Sequence, residues 1–232
     1  MHTDRFRLVL GTHDLSPDPI ATGDELVAWM PFDRFVQLYD AVERNARQSG
    51  IPVELTCDDA FISDYTLLLP WLLEHGRTAS FFVPTAFLGR PGRLTAAQLR
   101  EMHALGMRIG THGTNHVSWT RNPDYRDDIL RGIAELEDLL GAPVTAAAPP
   151  FGQYNASVLR LLAEKQMREV YTCNGGFAVT GGVLRDRVAV ASDPAVNTSI
   201  VELSRRPPTQ RDWLRGQWHR LRDTPVLMPR WA

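Results

Sequence analysis

The sequence predicts an α/β fold of parallel strands joined by crossover helices, in a single domain of 232 residues. Three observations predict it. Short runs rich in Val, Leu, Ile and Phe alternate about seven times with longer stretches of helical periodicity, the pattern of repeated βα units. The length suits one barrel or one doubly wound sheet. Residues able to bind metal or move protons follow directly after the short apolar runs, at the strand ends where such folds build their sites. A closed barrel and an open doubly wound sheet both satisfy this pattern.

Taken in order, Phe6–Leu10 reads as the first strand. Phe32–Ser49 carries Phe32, Phe35, Val36, Leu38, Tyr39 and Val42 at near-helical spacing, and Gly50 closes it. Val53–Cys57 is the second strand. Asp64–His75 reads as a helix, with a kink expected at Pro70 and a stop at Gly76. Thr78–Val83 is the third strand. Thr95–Leu105 is a helix with Thr95 as its N-cap and Gly106 beyond its end. Met107–Thr111 is the fourth strand. Tyr125–Leu140 is amphipathic, with Ile129, Ile133, Leu136, Leu139 and Leu140 on one face and Gly141 after it. Val144–Ala148, Arg168–Cys173 and Val188–Ala191 read as further strands, with Ser157–Lys165 a helix between the first two of them. Arg205–Asp223 differs in tone: it is basic, holds Pro207-Pro208, and continues into a helix-like run with Trp213, Leu214, Trp218 and Leu221. The expected organisation is a catalytic body over residues 1–204 and a basic helical tail over 205–232, packed on the body or extending from it.

Apolar residues make up 44% and charged residues 22% of the chain, an ordinary globular composition. Lys+Arg number 25 against 27 Asp+Glu, a net charge of −2, which excludes a strongly basic nucleic-acid binder. Cys57 and Cys173 are too few for a disulfide framework and lack zinc-ribbon spacing. No secretory apolar segment opens the chain and no run is long enough to span a membrane, so the expected setting is cytoplasmic. Oligomeric state is not legible.

The chemistry lies after the strands. His13-Asp14 follows the first, Asp58-Asp59 the second, His112-Gly113-Thr114-Asn115-His116 the fourth, and Pro149-Pro150-Phe151-Gly152 the fifth. On a helical turn the i, i+4 spacing of His112 and His116 would put both imidazoles on one face, able to share an ion. A carboxylate from another strand would complete a two-His, one-carboxylate set with open positions. Adjacent Asp58 and Asp59, at an extended strand end, point in different directions and so take different jobs: one binds metal, the other accepts a proton from water. Each piece has a plainer reading. A His-x-x-x-His pair arises by chance, Asp-Asp before a helix can be a capping device, and His13 can be a turn residue. Their combination at successive strand ends is what points to a site.

Leu55-Thr56-Cys57-Asp58-Asp59-Ala60 resembles the Thr-Phe-Asp-Asp-Gly motif of the polysaccharide deacetylases, the NodB-homology proteins of carbohydrate esterase family 4. His112–His116 resembles their His-(Ser/Thr)-x-x-His motif, and Pro150-Phe151-Gly152 the end of their Arg-x-Pro-(Tyr/Phe)-Gly motif. The intervening text, including Arg77-Thr78-Ala79-Ser80-Phe81-Phe82-Val83 and Gly106–His112, is similar too. The resemblance implies a distorted (β/α)7 barrel that binds one divalent ion, zinc foremost, with cobalt, nickel, manganese or iron(II) as alternatives. It implies Asp59, His112 and His116 as ligands and Asp58 as general base. The implied reaction removes an N-acetyl or related acyl group from a sugar or sugar-like substrate. Amide hydrolysis also needs a donor for the oxyanion, expected near the backbone N–H of Phe151, and an acid that protonates the leaving nitrogen.

Three departures accompany the resemblance. Ala148 stands where the family has the Arg that holds the base carboxylate. Arg185 or Arg187 could substitute, though the plainer reading of each is a surface or substrate-facing position. Cys57 replaces a Phe and reads as a small core residue. The late Leu-x-His motif that carries the general acid is absent, and His219, in a helix, is a weak stand-in. Leu10-Gly11-Thr12-His13-Asp14 matches the branch of the family that places a His-Asp pair on the first strand, which makes His13 the candidate acid, with Asp14 orienting it or lying near the metal. Phe151, Gly152, Tyr154, Arg187 and Asp14 are the expected substrate- or oxyanion-facing residues, and Trp119 and Asn174 lie near the same rim. The competing readings are another C–N hydrolase on this scaffold, acting on a formyl, ureide or cyclic amide group, and an inactive carbohydrate-binding homologue. The tail could also dock on a partner or a membrane.

Overall fold

The computed structural model describes residues 3–20 and 22–227. The predicted alternation is present as a mixed α/β chain whose sheet curls into a nearly closed barrel. Strands β1 (Phe6–Thr12), β2 (Val53–Asp58), β3 (Ser80–Val83), β4 (Arg108–Thr111), β5 (Ala146–Ala147) and β6 (Glu169–Thr172) pair in parallel in chain order. Helices α1 (Phe32–Gln48), α2 (Leu69–Glu74), α3 (Ala96–Ala104), α4 (Tyr125–Leu140) and α5 (Ala156–Glu164) form the crossovers.

The seventh stave is split. β8 (Leu184–Asp186) pairs with β6, while β9 (Val188–Ala189), one residue later, pairs with β1 on the other side of the seam. Arg187 is the residue between them, so the seam closes around it. A short strand β7 (Ala178–Val179) adds antiparallel to the start of β1.

Local chemistry explains the boundaries. Thr95 caps α3 in a reciprocal capping box with Gln98. Gly141 ends α4 in the left-handed conformation at φ 64°. Pro70 lies inside one continuous helical run, residues 62–74, directly after a π-helical turn over Asp64–Leu68, a local change of the hydrogen-bond ladder that accommodates its missing N–H. The sequence reading assigned no element to residues 194–205, which form α6 (Pro194–Arg205), capped by Asp193.

Outward-facing residues such as Leu8, Leu10, Leu55 and Ile109 join the helices in the main core. Inward-facing Val9, Phe82, Ala146, Ala148, Tyr171 and Ala178 form a second cluster inside the barrel. Phe82 and Tyr171 fill that interior with ring centroids 5.0 Å apart. Gly110 makes room for them, since a Cβ there would lie 2.5 Å from the Phe82 ring.

The basic tail contains α7 (Gln210–Leu227), which lies against α5, β7 and β8. Arg215 reaches the carbonyls of Asn174 and Gly175, and His219 Nδ1 lies 2.9 Å from Asp186 Oδ2. His219 thus ties the helix to the outside of the barrel and is not positioned as an acid for the rim. No described helix is long and apolar enough to cross a membrane.

Candidate active site

The residues picked out after β1, β2, β4 and β5 meet at the C-terminal rim of the barrel. Along β2, alternation turns Thr56 and Asp58 inward. The strand then breaks: Asp59 and Ala60 both take positive φ, 73° and 55°. Left-handed backbone costs an ordinary residue roughly 1–2 kcal/mol, and here it swings Asp59 away from the alternation toward the neighbouring loop. The two carboxylates do separate, as their adjacency predicts. Asp59 Oδ1 lies 3.3 Å from His116 Nε2 and 3.6 Å from His112 Nε2, and these three donor atoms all fall within 4.8 Å of one another.

The two histidines are not on a helical turn. Residues 112–116 form an irregular loop after β4, with Gly113 at φ 77° and His116 at φ 55°, and this loop, not an i, i+4 helical register, brings the imidazoles together. α4 holds the loop from below. The buried carboxylate of Asp128 accepts from the backbone and side-chain nitrogens of Asn115 (2.8 and 3.0 Å) and from Trp119 Nε1 (3.2 Å). A Cβ on Gly132 would lie 2.6 Å from the backbone of Gly113, so the helix lies directly against the loop. Trp119 is therefore fully buried structure, not a rim residue. The sequence reading missed Asp128. The available signal was Gly132 on the apolar face of a long helix, a position whose cost in propensity implies close approach.

The donor set fits a divalent ion. His112 Nδ1 is 2.6 Å from the carbonyl of Ala148 and so carries the proton, leaving Nε2 as a lone-pair donor aimed at Asp59 and His116. Burial pushes the His112 imidazole down to about 3, with Asp58 opposing and His116 reinforcing the shift, so the ring is neutral, as a ligand must be. The 3.3 and 3.6 Å separations match the edges of about 3.3 Å of a tetrahedron with bonds of about 2.0 Å. His116 is flanked by the rings of Phe87 and Phe151, at 5.8 and 4.8 Å between centroids.

Asp58 has a different partner. Arg187 donates to both of its oxygens (2.8 and 2.9 Å) and to Thr56 Oγ1 (3.0 Å). Burial would raise the Asp58 carboxyl, but the guanidinium outweighs it and holds the acid well below the usual carboxylate range. Arg187 is 3% exposed. The expectation that it faces substrate is therefore corrected: it holds the carboxylate from the seam of the barrel, taking the place left open by Ala148. Arg185, two residues earlier and opposite Tyr171 in the register, pairs with Glu169 near the start of β6. His13 Nε2 lies 3.9 Å from Asp58 Oδ2, and its ring is partly exposed at the rim.

Two further expectations are corrected. Asp14 is fully buried, and its carboxylate accepts from the backbone nitrogens of Ser16 (2.9 Å) and Ile20 (2.6 Å), bracing the loop after β1. It faces neither substrate nor oxyanion. Tyr154 packs its ring against the core and accepts from Asn174 Nδ2 (3.0 Å), so its hydroxyl serves the packing of the outer layer. Phe151 and Gly152 do lie at the rim. Phe151 is 60% exposed and left-handed at φ 59°, and a Cβ on Gly152 would lie 2.6 Å from Cys173 Cβ. Arg93 was not anticipated. It donates to the Asp59 carbonyl (3.0 Å) and lies over the Phe61 ring, bracing the left-handed turn. Behind the turn, Asp64 is fully buried, and desolvation together with the Asp59, Asp14 and Asp58 charges pushes its carboxyl well above the usual range.

Comparison with known proteins converges on one group. The family model described as polysaccharide deacetylase matches residues 45–170. The Bacillus subtilis protein YxkH, provisionally assigned as a polysaccharide deacetylase, is 28% identical over 115 residues, which is 49% of this chain and 41% of that protein. Among solved structures, the Streptococcus pyogenes deacetylase PplD in complex with acetate superposes with a TM-score of 0.70 at 23% identity, covering 87% of this chain and 99% of that one. IcaB from Ammonifex degensii gives 0.71 at 21% identity, covering 87% and 98%. At these identities the structural likeness speaks for the fold.

Proposed function

The chain belongs to the polysaccharide deacetylase family, and from that premise we propose that it is a metal-dependent hydrolase removing an N-acetyl group from a sugar or sugar-like substrate. The carrying observation is the juxtaposition at one rim of the Asp59–His112–His116 donor set with an Arg187-paired Asp58. Bound by those three ligands, a divalent ion, zinc first among those the set suits, supplies Lewis acidity toward the acyl carbonyl and acidifies water.

In this reading the chain's own groups do the rest. Asp58 orients the attacking water and takes its proton, and the Arg187 ion pair keeps it ionised throughout the working pH range. The backbone N–H of Phe151 donates to the carbonyl oxygen as charge develops there. His13, across the mouth from Asp58, protonates the leaving nitrogen. Gly152 lets the Phe151 turn lie close against the strand end at Cys173.

The test is elemental analysis alongside acetate release from N-acetylated amino sugars. Wild type should carry close to one divalent ion per chain, and Asp59→Ala and His116→Ala should each lose it together with activity. Protein that binds none of zinc, cobalt, nickel or manganese would overturn the proposal and favour a carbohydrate-binding role. For His13, the expected result is selective: His13→Ala should slow amide substrates by about 100-fold and activated esters much less, because a good leaving group needs little protonation. An equal loss on both would remove His13 from the acid role.

A further inference from the structure

We infer that a groove beside this site receives an aliphatic chain attached to the saccharide, so that the substrate is an amphiphile such as a glycolipid. The inference rests on the hydrolase reading above and names its substrate class. The groove, of about 440 Å³, runs from Cys173 and Arg187 between β9 and α6, walled by Val188, Ala189, Val196, Ile200 and Leu203.

Its inner end adjoins the chemistry. Cys173 Sγ lies 3.8 Å from Arg187 Nη2, the nitrogen that also donates to Asp58. Its lining offers a sugar almost nothing to bind. The guanidinium is committed to Asp58 and Thr56, and the Ser199 hydroxyl donates to the Ala195 carbonyl within its own helix (3.1 Å). A saccharide subsite needs convergent polar groups for its hydroxyls, whereas this wall suits methylenes.

Further apolar side chains are exposed near the start of α6. Val196 is 39% exposed, and Val27, 67% exposed, stands beside the start of α6 because its carbonyl accepts from Ser192 N (3.0 Å). Leu26, next to it, is 41% exposed. Inside the barrel, the space beneath the site is taken by Arg187, Phe82 and Tyr171. The filled interior leaves little room for a long acyl group, whereas a chain on the saccharide can follow the outer groove.

The test compares kcat/KM for methyl, hexyl and octyl glycosides of N-acetylglucosamine. Wild type should gain about three- to fourfold per buried methylene until the groove is filled. Val196→Asp, which puts a charge in the wall, should collapse the octyl-to-methyl ratio toward one. The variant should fold, since an acid in the first turn of α6 is favourable to the helix. Ser199→Phe, which fills the groove with an apolar ring, should do the same. Calorimetric binding of octyl glucoside, which has no acyl group to hydrolyse, should be detectable in wild type and at least tenfold weaker in both variants.

A flat chain-length series on an active enzyme would overturn the inference. So would a rise that neither variant touches, a rise confined to longer N-acyl groups, or failure of octyl glucoside to bind. Inactivity on every glycoside would count against the hydrolase reading instead, and the binding measurement would still decide the groove.

Discussion

Arg187→Met is expected to destabilise the protein by about 3–5 kcal/mol, because it leaves a buried carboxylate without its counter-charge. Asp58 is 3% exposed, and Arg187 supplies both of the hydrogen bonds that satisfy its two oxygens. The pH dependence should invert as well. In wild type the depressed Asp58 carboxyl contributes stability that is present above the carboxylate's unfolded pKa and is lost as pH falls. In the Met variant burial acts unopposed by the guanidinium, the folded pKa rises above the unfolded one, and stability falls as pH rises through it. Urea unfolding at a series of pH values from acid to neutral reads both the loss and the sign. An unchanged midpoint and slope would mean that the ion pair does not form. Arg187→Lys keeps the charge but loses the two-pronged donor geometry, and should fall between the two.

Asp58→Asn is the second large effect, and it falls on turnover. Removing a general base typically costs 10²–10⁴ in rate, and that loss is expected here with the ion content unchanged, since Asp58 is outside the proposed ligand set. Full activity in this variant would take Asp58 out of the role. The substitution also leaves Arg187 as a buried cation with no opposing charge, so it should destabilise too. The double variant Asp58→Asn, Arg187→Met should therefore be more stable than Arg187→Met alone, a coupling that two independent sites would not show. Read together, the two variants separate the ion pair's contribution to the fold from the base's contribution to the reaction.

The fold and most of the site were legible because their signals are local. Each βα unit announces itself by its own apolar periodicity, and each of His13, Asp58, Asp59, His112, His116 and Phe151 stands at the end of a strand or shortly after it, so a correct strand pattern already carries them to one rim. Reading failed where a residue's role depends on what faces it. Asp14 and Tyr154 stand in suitable loops but turn into the body. His112 and His116 were gathered for the wrong reason, because loop and helix share the same four-residue spacing and only backbone conformation distinguishes them. Asp128, on the helix that follows, braces the His112–His116 loop, and Arg93 braces the left-handed turn from 34 positions away, through contacts that no local pattern marks.

By itself, periodicity along the sequence determined the alternation of strands and helices, and residue identity determined the donor types available at the strand ends, while closure into a barrel was implied only by the family resemblance. Only the tertiary structure decided which arginine pairs with Asp58. Arg187 is 129 positions from Asp58, and nothing near either residue distinguishes it from Arg185 two positions earlier. The distinction is one of position along the closing stave: Arg187 stands at the seam between β8 and β9 with its guanidinium on Asp58, while Arg185, opposite Tyr171, reaches Glu169 at the start of β6. Closure of the sheet is a property of all the strands together, so a contact made across that closure is written in no single stretch of sequence.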